Sequence, residues 1–64
     1  MIVNGKNIDQ KETAALKDYL ESAGYDPSRI AVEKNGVIIP KDKFSSETVC
    51  NDDTLEIVRF VGGG

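Results

Sequence analysis

Two Asn-Gly pairs limit what this chain can fold into. Asn4-Gly5 lies between strand-like residues 1–3 and 7–8, and Asn35-Gly36 lies between strand-like residues 30–33 and 37–39. Asn followed by Gly supplies two consecutive positions that tolerate positive φ, which is what a two-residue hairpin turn needs. The pattern therefore predicts two β-hairpins, one opening the chain and one at its middle.

Between the hairpins the periodicity changes. Leu16, Tyr19, Leu20 and Ala23 recur at i, i+3, i+4 and i+7, while Lys17, Asp18 and Glu21 fall off that stripe. One amphipathic helix is expected. Thr13 is its expected N-cap, without the Glu or Gln three residues on that would complete a capping box. Gly24 and Pro27 supply its stop. Pro40 ends the second hairpin. Residues 41–53 read as a polar surface connection with a short turn of helix, anchored to the core by Phe44 and Val49. Residues 55–61 are rich in branched and aromatic side chains and form the last strand.

A single helical stripe has to be buried against one face of the sheet. The first and last strands avoid becoming exposed edges if they lie side by side at the centre, with the hairpins outside. That arrangement is an α+β fold, the β-grasp or ubiquitin-like fold: a mixed sheet of four to five strands with one main helix packed on one face. The expected organisation is a domain over residues 1–61 and a flexible C-terminal glycine tail over residues 62–64.

Size and charge narrow the function. A chain of 64 residues forms one small domain, and hollowing out a deep catalytic pocket would remove burial it needs to stay folded. Eight basic and eleven acidic residues leave a net charge of −3, with no basic stripe of the kind that binds nucleic acid. Residues 1–43 are balanced. The excess comes from Glu47, Asp52, Asp53 and Glu56 against Arg59. This acidic third is either a steering surface for a basic partner or a solvated face that aids solubility. There is no His and one Cys, Cys50, so an internal disulfide is excluded. The neighbouring Asp52 and Asp53 disfavour a thiolate, and Cys50 reads as a small packing residue. Tyr19 and Tyr25 are likewise expected to pack. No apolar run resembles a signal peptide or a membrane span, so the expected location is the cytoplasm.

The chemistry is expected at the C-terminus. Alternation along the last strand puts Leu55 and Ile57 on the core face and Glu56, Val58 and Phe60 on the other. Val58, Phe60 and the adjacent Val61 then form an apolar partner surface, unless the 41–53 connection folds over them. Gly62, Gly63 and Gly64 follow. Three glycines reach about 10 Å when extended and carry no Cβ, so they can thread a narrow channel and deliver the α-carboxylate of Gly64. A carboxylate must gain a leaving group such as AMP before a sulfur donor can convert it to a thiocarboxylate. That chemistry needs no acid, base or metal from the carrier. The chain also lacks a nucleophile–base pair, metal-ligand spacing and a phosphate loop, since no helix follows the glycines. It is expected to be a protein substrate and not an enzyme.

The opening MIVNGK, the middle VEKNGVIIPK and above all the ending DTLEIVRFVGGG resemble the ThiS family, the sulfur carriers of thiamine biosynthesis. The resemblance runs the whole length of the chain. It implies that Gly64 is adenylated by an E1-like enzyme of ThiF type using ATP, with no cofactor held by the carrier. A cysteine-desulfurase persulfide would supply the sulfur, and a thiazole synthase of ThiG type would receive it. Gly63 and Gly64 match the family's terminal pair, Gly62 matches an additional glycine found in some members, and Val58, Phe60 and Val61 match its partner-facing apolar positions. No metal, nucleic acid or membrane is implied. The alternatives are a carrier for another sulfur pathway, such as a molybdopterin-synthase small subunit, a ubiquitin-like protein tag, or a β-grasp binding module without carboxyl chemistry.

Overall fold

A computed structural model of the chain describes residues 1–60; Val61, Gly62, Gly63 and Gly64 lie outside the described residues. Both expected turns form. Asn4 and Gly5 have φ of 51° and 82°, and Asn35 and Gly36 have 51° and 84°, two positive values in a row as the turn chemistry requires. The first turn joins β1 (Ile2–Val3) to β2 (Lys6–Asn7), with Ile2 opposite Asn7 and Val3 opposite Lys6.

The helix starts later than expected. Ala14–Ala15 form a short strand, β3, and α1 spans Leu16–Ser22. Thr13 is therefore not the N-cap. Ala15 occupies that position without a capping side chain. Instead the N–H groups of Leu16 and Lys17 donate to the carbonyls of Glu47 and Phe44, at 2.7 and 2.9 Å. The 41–53 connection thus satisfies the orphan donors of the first turn, a tertiary solution that local sequence cannot reveal. The C-terminus follows the expected chemistry. Gly24, at φ 88°, donates to Glu21, and Tyr25 donates to Leu20, the paired bonds of a Schellman motif. Ala23, expected on the buried stripe, is exposed because the helix has already ended.

The chain then enters a 3₁₀ turn at Pro27–Arg29, capped by Asp26, whose carboxylate accepts from the Ser28 amide at 3.0 Å. β4 (Ile30–Lys34) and β5 (Val37–Ile39) make the second hairpin. The expected short helical turn is the 3₁₀ segment Lys41–Lys43. β6 (Thr48–Val49) pairs with β3, and β7 (Thr54–Arg59) closes the fold.

The main sheet has the order β2-β1-β7-β4-β5. β7 runs parallel to β1, with Val3 opposite Leu55, and antiparallel to β4, with Val32 opposite Ile57. The first and last strands lie together at the centre, as topology demanded. Leu16 and Leu20 are fully buried against the inward residues Ile30, Val32, Leu55 and Ile57. Phe44 and Val49 close the core from the connection side.

A polar cluster joins the second hairpin to the connection. Lys34 Nζ lies 2.8 Å from Glu47 Oε2 and 3.9 Å from Asp53 Oδ2. Asp53 accepts from Asn35 Nδ2 at 2.9 Å and from the Cys50 amide at 2.8 Å. Burial pushes the Asp53 carboxyl up, but the bonds from Asn35 and Cys50 and the Lys34 charge outweigh it and hold the group below its ordinary 3.8. The hydrogen bond to Glu47 raises Lys34 above its ordinary 10.5 against the opposing effect of burial, with Asp53 adding to the rise. Two of the four acidic residues in the C-terminal third are thus paired within the fold, so Glu47, Asp52, Asp53 and Glu56 do not form one steering patch.

The two shifts have opposite consequences for pH. The Asp53 contribution is present above the unfolded carboxyl pKa and is lost as pH falls through the lower folded value. The Lys34 contribution is present below the unfolded amine pKa and is lost as pH rises through the higher folded value. Urea midpoints measured against pH should therefore show a plateau with an acid and an alkaline limb. Asp53→Asn should flatten the acid limb, and Lys34→Met should lower stability by about 2 kcal/mol by leaving carboxylates without their cation.

Candidate functional site

β7 leads directly to the glycine tail, and its alternation places the candidate side chains. Leu55 and Ile57 point into the core, while Val58 and Phe60 are 60% and 57% exposed on the opposite face of the sheet. The 41–53 connection does not fold over them. It approaches this pair through Lys41, whose Nζ sits 5.1 Å from the centre of the Phe60 ring, a cation–π contact, and donates to the Ser28 carbonyl at 2.7 Å. Val61, Gly62, Gly63 and Gly64 are outside the described residues.

Sequence reasoning missed the neighbours that extend this patch. Ile38 is 72% exposed and belongs to the same face, because it pairs with Glu33, which pairs with Glu56. Ala31 lies opposite Val58. Ala31, Ile38 and Val58, with Glu33 and Glu56, line a shallow depression of about 110 Å³. The run Val37-Ile38-Ile39 held the signal: in a strand of alternating faces, three apolar residues in a row cannot all point inward.

The strand carrying this patch is held in place as far as Phe60. On one side the Phe60 amide donates to the Arg29 carbonyl at 2.9 Å. On the other side β1 has already turned away, and the Asn4 side chain takes over its role. Asn4 Oδ1 accepts from the Ile57 amide at 2.7 Å, and Nδ2 donates to the Ile57 carbonyl at 3.2 Å. Asn4 thus shapes the turn with its backbone and extends the ladder with its amide. Asn35 acts similarly at the start of β7, where its Oδ1 accepts from the Thr54 amide at 2.9 Å.

The inner side of the strand end is aromatic. Arg59 places its guanidinium 4.9 Å from the centre of the Tyr25 ring. Tyr19 and Tyr25 pack partly buried against the core, and burial together with the proximity of Tyr25 pushes the Tyr19 phenol up. Both therefore pack as expected. An open cavity of about 290 Å³ lies beside them, lined by Val3, Asn4, Lys6, Ile8, Tyr19 and Tyr25 among others. It gathers no nucleophile with a base. Cys50 is half-buried and belongs to the polar cluster, with its amide donating to Asp53. Among the described residues no three His, Cys, Asp or Glu side chains gather as metal ligands, and no helix is long and apolar enough to cross a membrane.

The ThiS family model matches residues 1–64. The chain belongs to the ThiS family. It is 38% identical over 63 residues to the sulfur carrier protein ThiS of Bacillus subtilis (strain 168), covering 97% of this chain and 96% of that protein. It is also 34% identical over 64 residues to a thiazole synthase of Paramagnetospirillum magneticum, where the match takes in all of this chain but only 20% of the longer protein. The crystal structure of the thiamine biosynthesis protein ThiS from Geobacter metallireducens superimposes with a TM-score of 0.77 at 29% identity, covering 98% of this chain and 96% of that one. The ThiS likeness and the mixed five-stranded sheet with its helix on one face establish the β-grasp fold.

Because Val58 and Phe60 face solvent, Val58→Lys and Phe60→Asp should each shift the unfolding free energy by no more than about 0.5 kcal/mol. Ile57→Ala, one residue away on the core face, should cost about 2–4 kcal/mol. Chemical denaturation of the three variants checks the assignment of faces.

Proposed function

We propose that this ThiS-family chain carries sulfur on the α-carboxylate of Gly64 for assembly of the thiazole of thiamine. The observation that carries the reading is an exposed apolar face on the very strand that runs into the glycine tail. A partner that grips Val58 and Phe60, together with Val61, is positioned to receive the tail in its own active site. Gly62 and Gly63 supply reach and slimness, and the domain over 1–61 presents the tail over 62–64.

The carrier contributes one functional group, and its partners supply the catalysis. An E1-like enzyme of ThiF type transfers AMP from ATP to the carboxylate, releasing pyrophosphate. The terminal sulfur of a cysteine-desulfurase persulfide attacks the acyl carbon and expels AMP, forming an acyl disulfide. A thiol then cleaves the S–S bond, leaving the thiocarboxylate on Gly64 and a new disulfide on the donor side. The thiocarboxylate passes its sulfur to a thiazole synthase. Support for that last partner comes from the thiazole synthase relative, in which a segment similar to this whole chain is part of a synthase. Covalent linkage of two functions in one polypeptide is expected when they act in succession. ATP is used by the adenylating enzyme, and the chain is a substrate and not a catalyst.

Incubation with a ThiF-type enzyme, ATP, a persulfide donor and a thiol reductant should raise the mass of the intact chain by the exchange of one oxygen for sulfur. An unchanged mass with demonstrably active partners would sink the reading. Deleting Gly64 should abolish the mass change while leaving the thermal transition in place. Phe60→Asp should weaken binding to the adenylating enzyme by about 10-fold or more, as loss of an aromatic anchor at an interface does, without unfolding the chain.

A further inference from the structure

The open face of the sheet carries a second pattern besides its apolar patch: charge is segregated along the strands. At one end Arg29 and Lys41 flank Phe60, and the nearby Asp26 carboxylate offsets one of these two charges, leaving that end net positive. The Phe60 amide bonds to the Arg29 carbonyl, and Lys41 covers the Phe60 ring. In the middle lies the uncharged row of Ala31 opposite Val58. At the other end Glu33 sits directly opposite Glu56, beside Ile38. Like charges in direct cross-strand register are unfavourable, and this pair lies on β4 and β7, the longest strands of the sheet. The Arg29 side chain is 78% exposed, and its ion pair with Asp26 is a loose 3.5 Å, which leaves its charge available to a second surface.

The positive and negative ends lie two residues either side of the Ala31–Val58 row, about 7 Å each way at 3.4 Å per residue. That symmetry makes the face complementary to itself. Turning a second copy by 180° about an axis along the Ala31–Val58 row places its Glu33 and Glu56 over Arg29 and Lys41 of the first, and the reverse. Ile38, Val58 and Phe60 of both copies are then covered between the sheets. Two sheets stacked with their strands roughly aligned is an ordinary packing mode, and a self-complementary patch gives a closed two-fold dimer.

We propose that this face binds a second copy of the chain in a weak, salt-sensitive homodimer. Five strands about 4.8 Å apart and some 14 Å of strand length give a footprint of roughly 24 by 14 Å. That is well short of the ~800 Å² per partner of a stable complex. The dimer therefore forms at high protein concentration, with a dissociation constant on the order of 0.1–1 mM. It occludes Val58 and Phe60, so it competes with any enzyme that docks there and gives way to one that binds more tightly. The proposal needs no sulfur chemistry, and its failure would leave the carrier reading untouched.

The test uses the full chain and two charge-reversed forms, Glu33→Lys with Glu56→Lys and Arg29→Glu with Lys41→Glu, each checked for fold by circular dichroism. Sedimentation and amide chemical shifts are followed from about 0.05 to 2 mM. The wild-type chain should dimerise across that range, with shift changes centred on Ile38, Val58 and Phe60. Raising salt from about 0.05 to 0.5 M should weaken it several-fold. Each reversed form alone should stay monomeric, and an equimolar mixture of the two should associate. A wild-type chain that stays monomeric to 2 mM, or an equimolar mixture of folded reversed forms that does not associate, overturns the proposal. If one reversed form does not fold, the wild-type concentration and salt series decides alone.

Discussion

The pairing of β7 between β1 and β4 governs this fold. Among the described residues β7 is the only strand paired with both hairpins, since β1 brings the first to one side and β4 the second to the other. Without β7 the chain would be two hairpins and a seven-residue helix, none of which is stable alone in water. The parallel β1–β7 contact is also the most non-local in the sheet, joining Ile2 to Thr54. The fold is complete only when its C-terminal strand has been placed, and that strand is the one leading to the glycine tail.

The two Asn-Gly turns do more than reverse the chain. Each Asn adopts positive φ and so stands where its side chain can bond to β7, Asn35 at Thr54 and Asn4 at Ile57. A Gly at either position would accept the turn geometry but could not bond the strand. β1 is only two residues long, and the Asn4 amide continues its work by one more rung. The strand is therefore held through Ile57 from both sides and at Phe60 from the β4 side. The exposed apolar side chains Val58 and Phe60 thus stand on a strand held by hydrogen bonds on both flanks.

Much of this was legible in the sequence, for identifiable reasons. The hairpins followed from Asn4-Gly5 and Asn35-Gly36 because φ > 0 is a local demand. The buried stripe at Leu16 and Leu20 and the outward Val58 and Phe60 followed from periodicity, and the core anchors Phe44 and Val49 from being apolar residues in a polar connection. What escaped was tertiary. The helix begins at Leu16 and not after Thr13 because carbonyls of Phe44 and Glu47, some thirty residues away in sequence, cap it. The acidic residues cluster in sequence, which leaves a steering surface and a solvated face equally open, but Lys34 reaches Glu47 and Asp53 across the fold. Ile38 was overlooked because its exposure depends on its register with Glu33 and Glu56. The tail residues and Val61 rest on sequence and chemistry, while Val58 and Phe60 have a described position.

Hydrogen exchange resolved by residue tests most directly whether β7 is the fixed axis that carries the exposed apolar face. The amides of Ile57 and Phe60, bonded to Asn4 and to Arg29, should exchange as slowly as the best-protected amides of β4, at the rate set by global unfolding. Exchange at Ile57 and Phe60 as fast as in the 41–53 connection would contradict it, because the end of β7 would then open locally and the face would not be pre-formed for a partner.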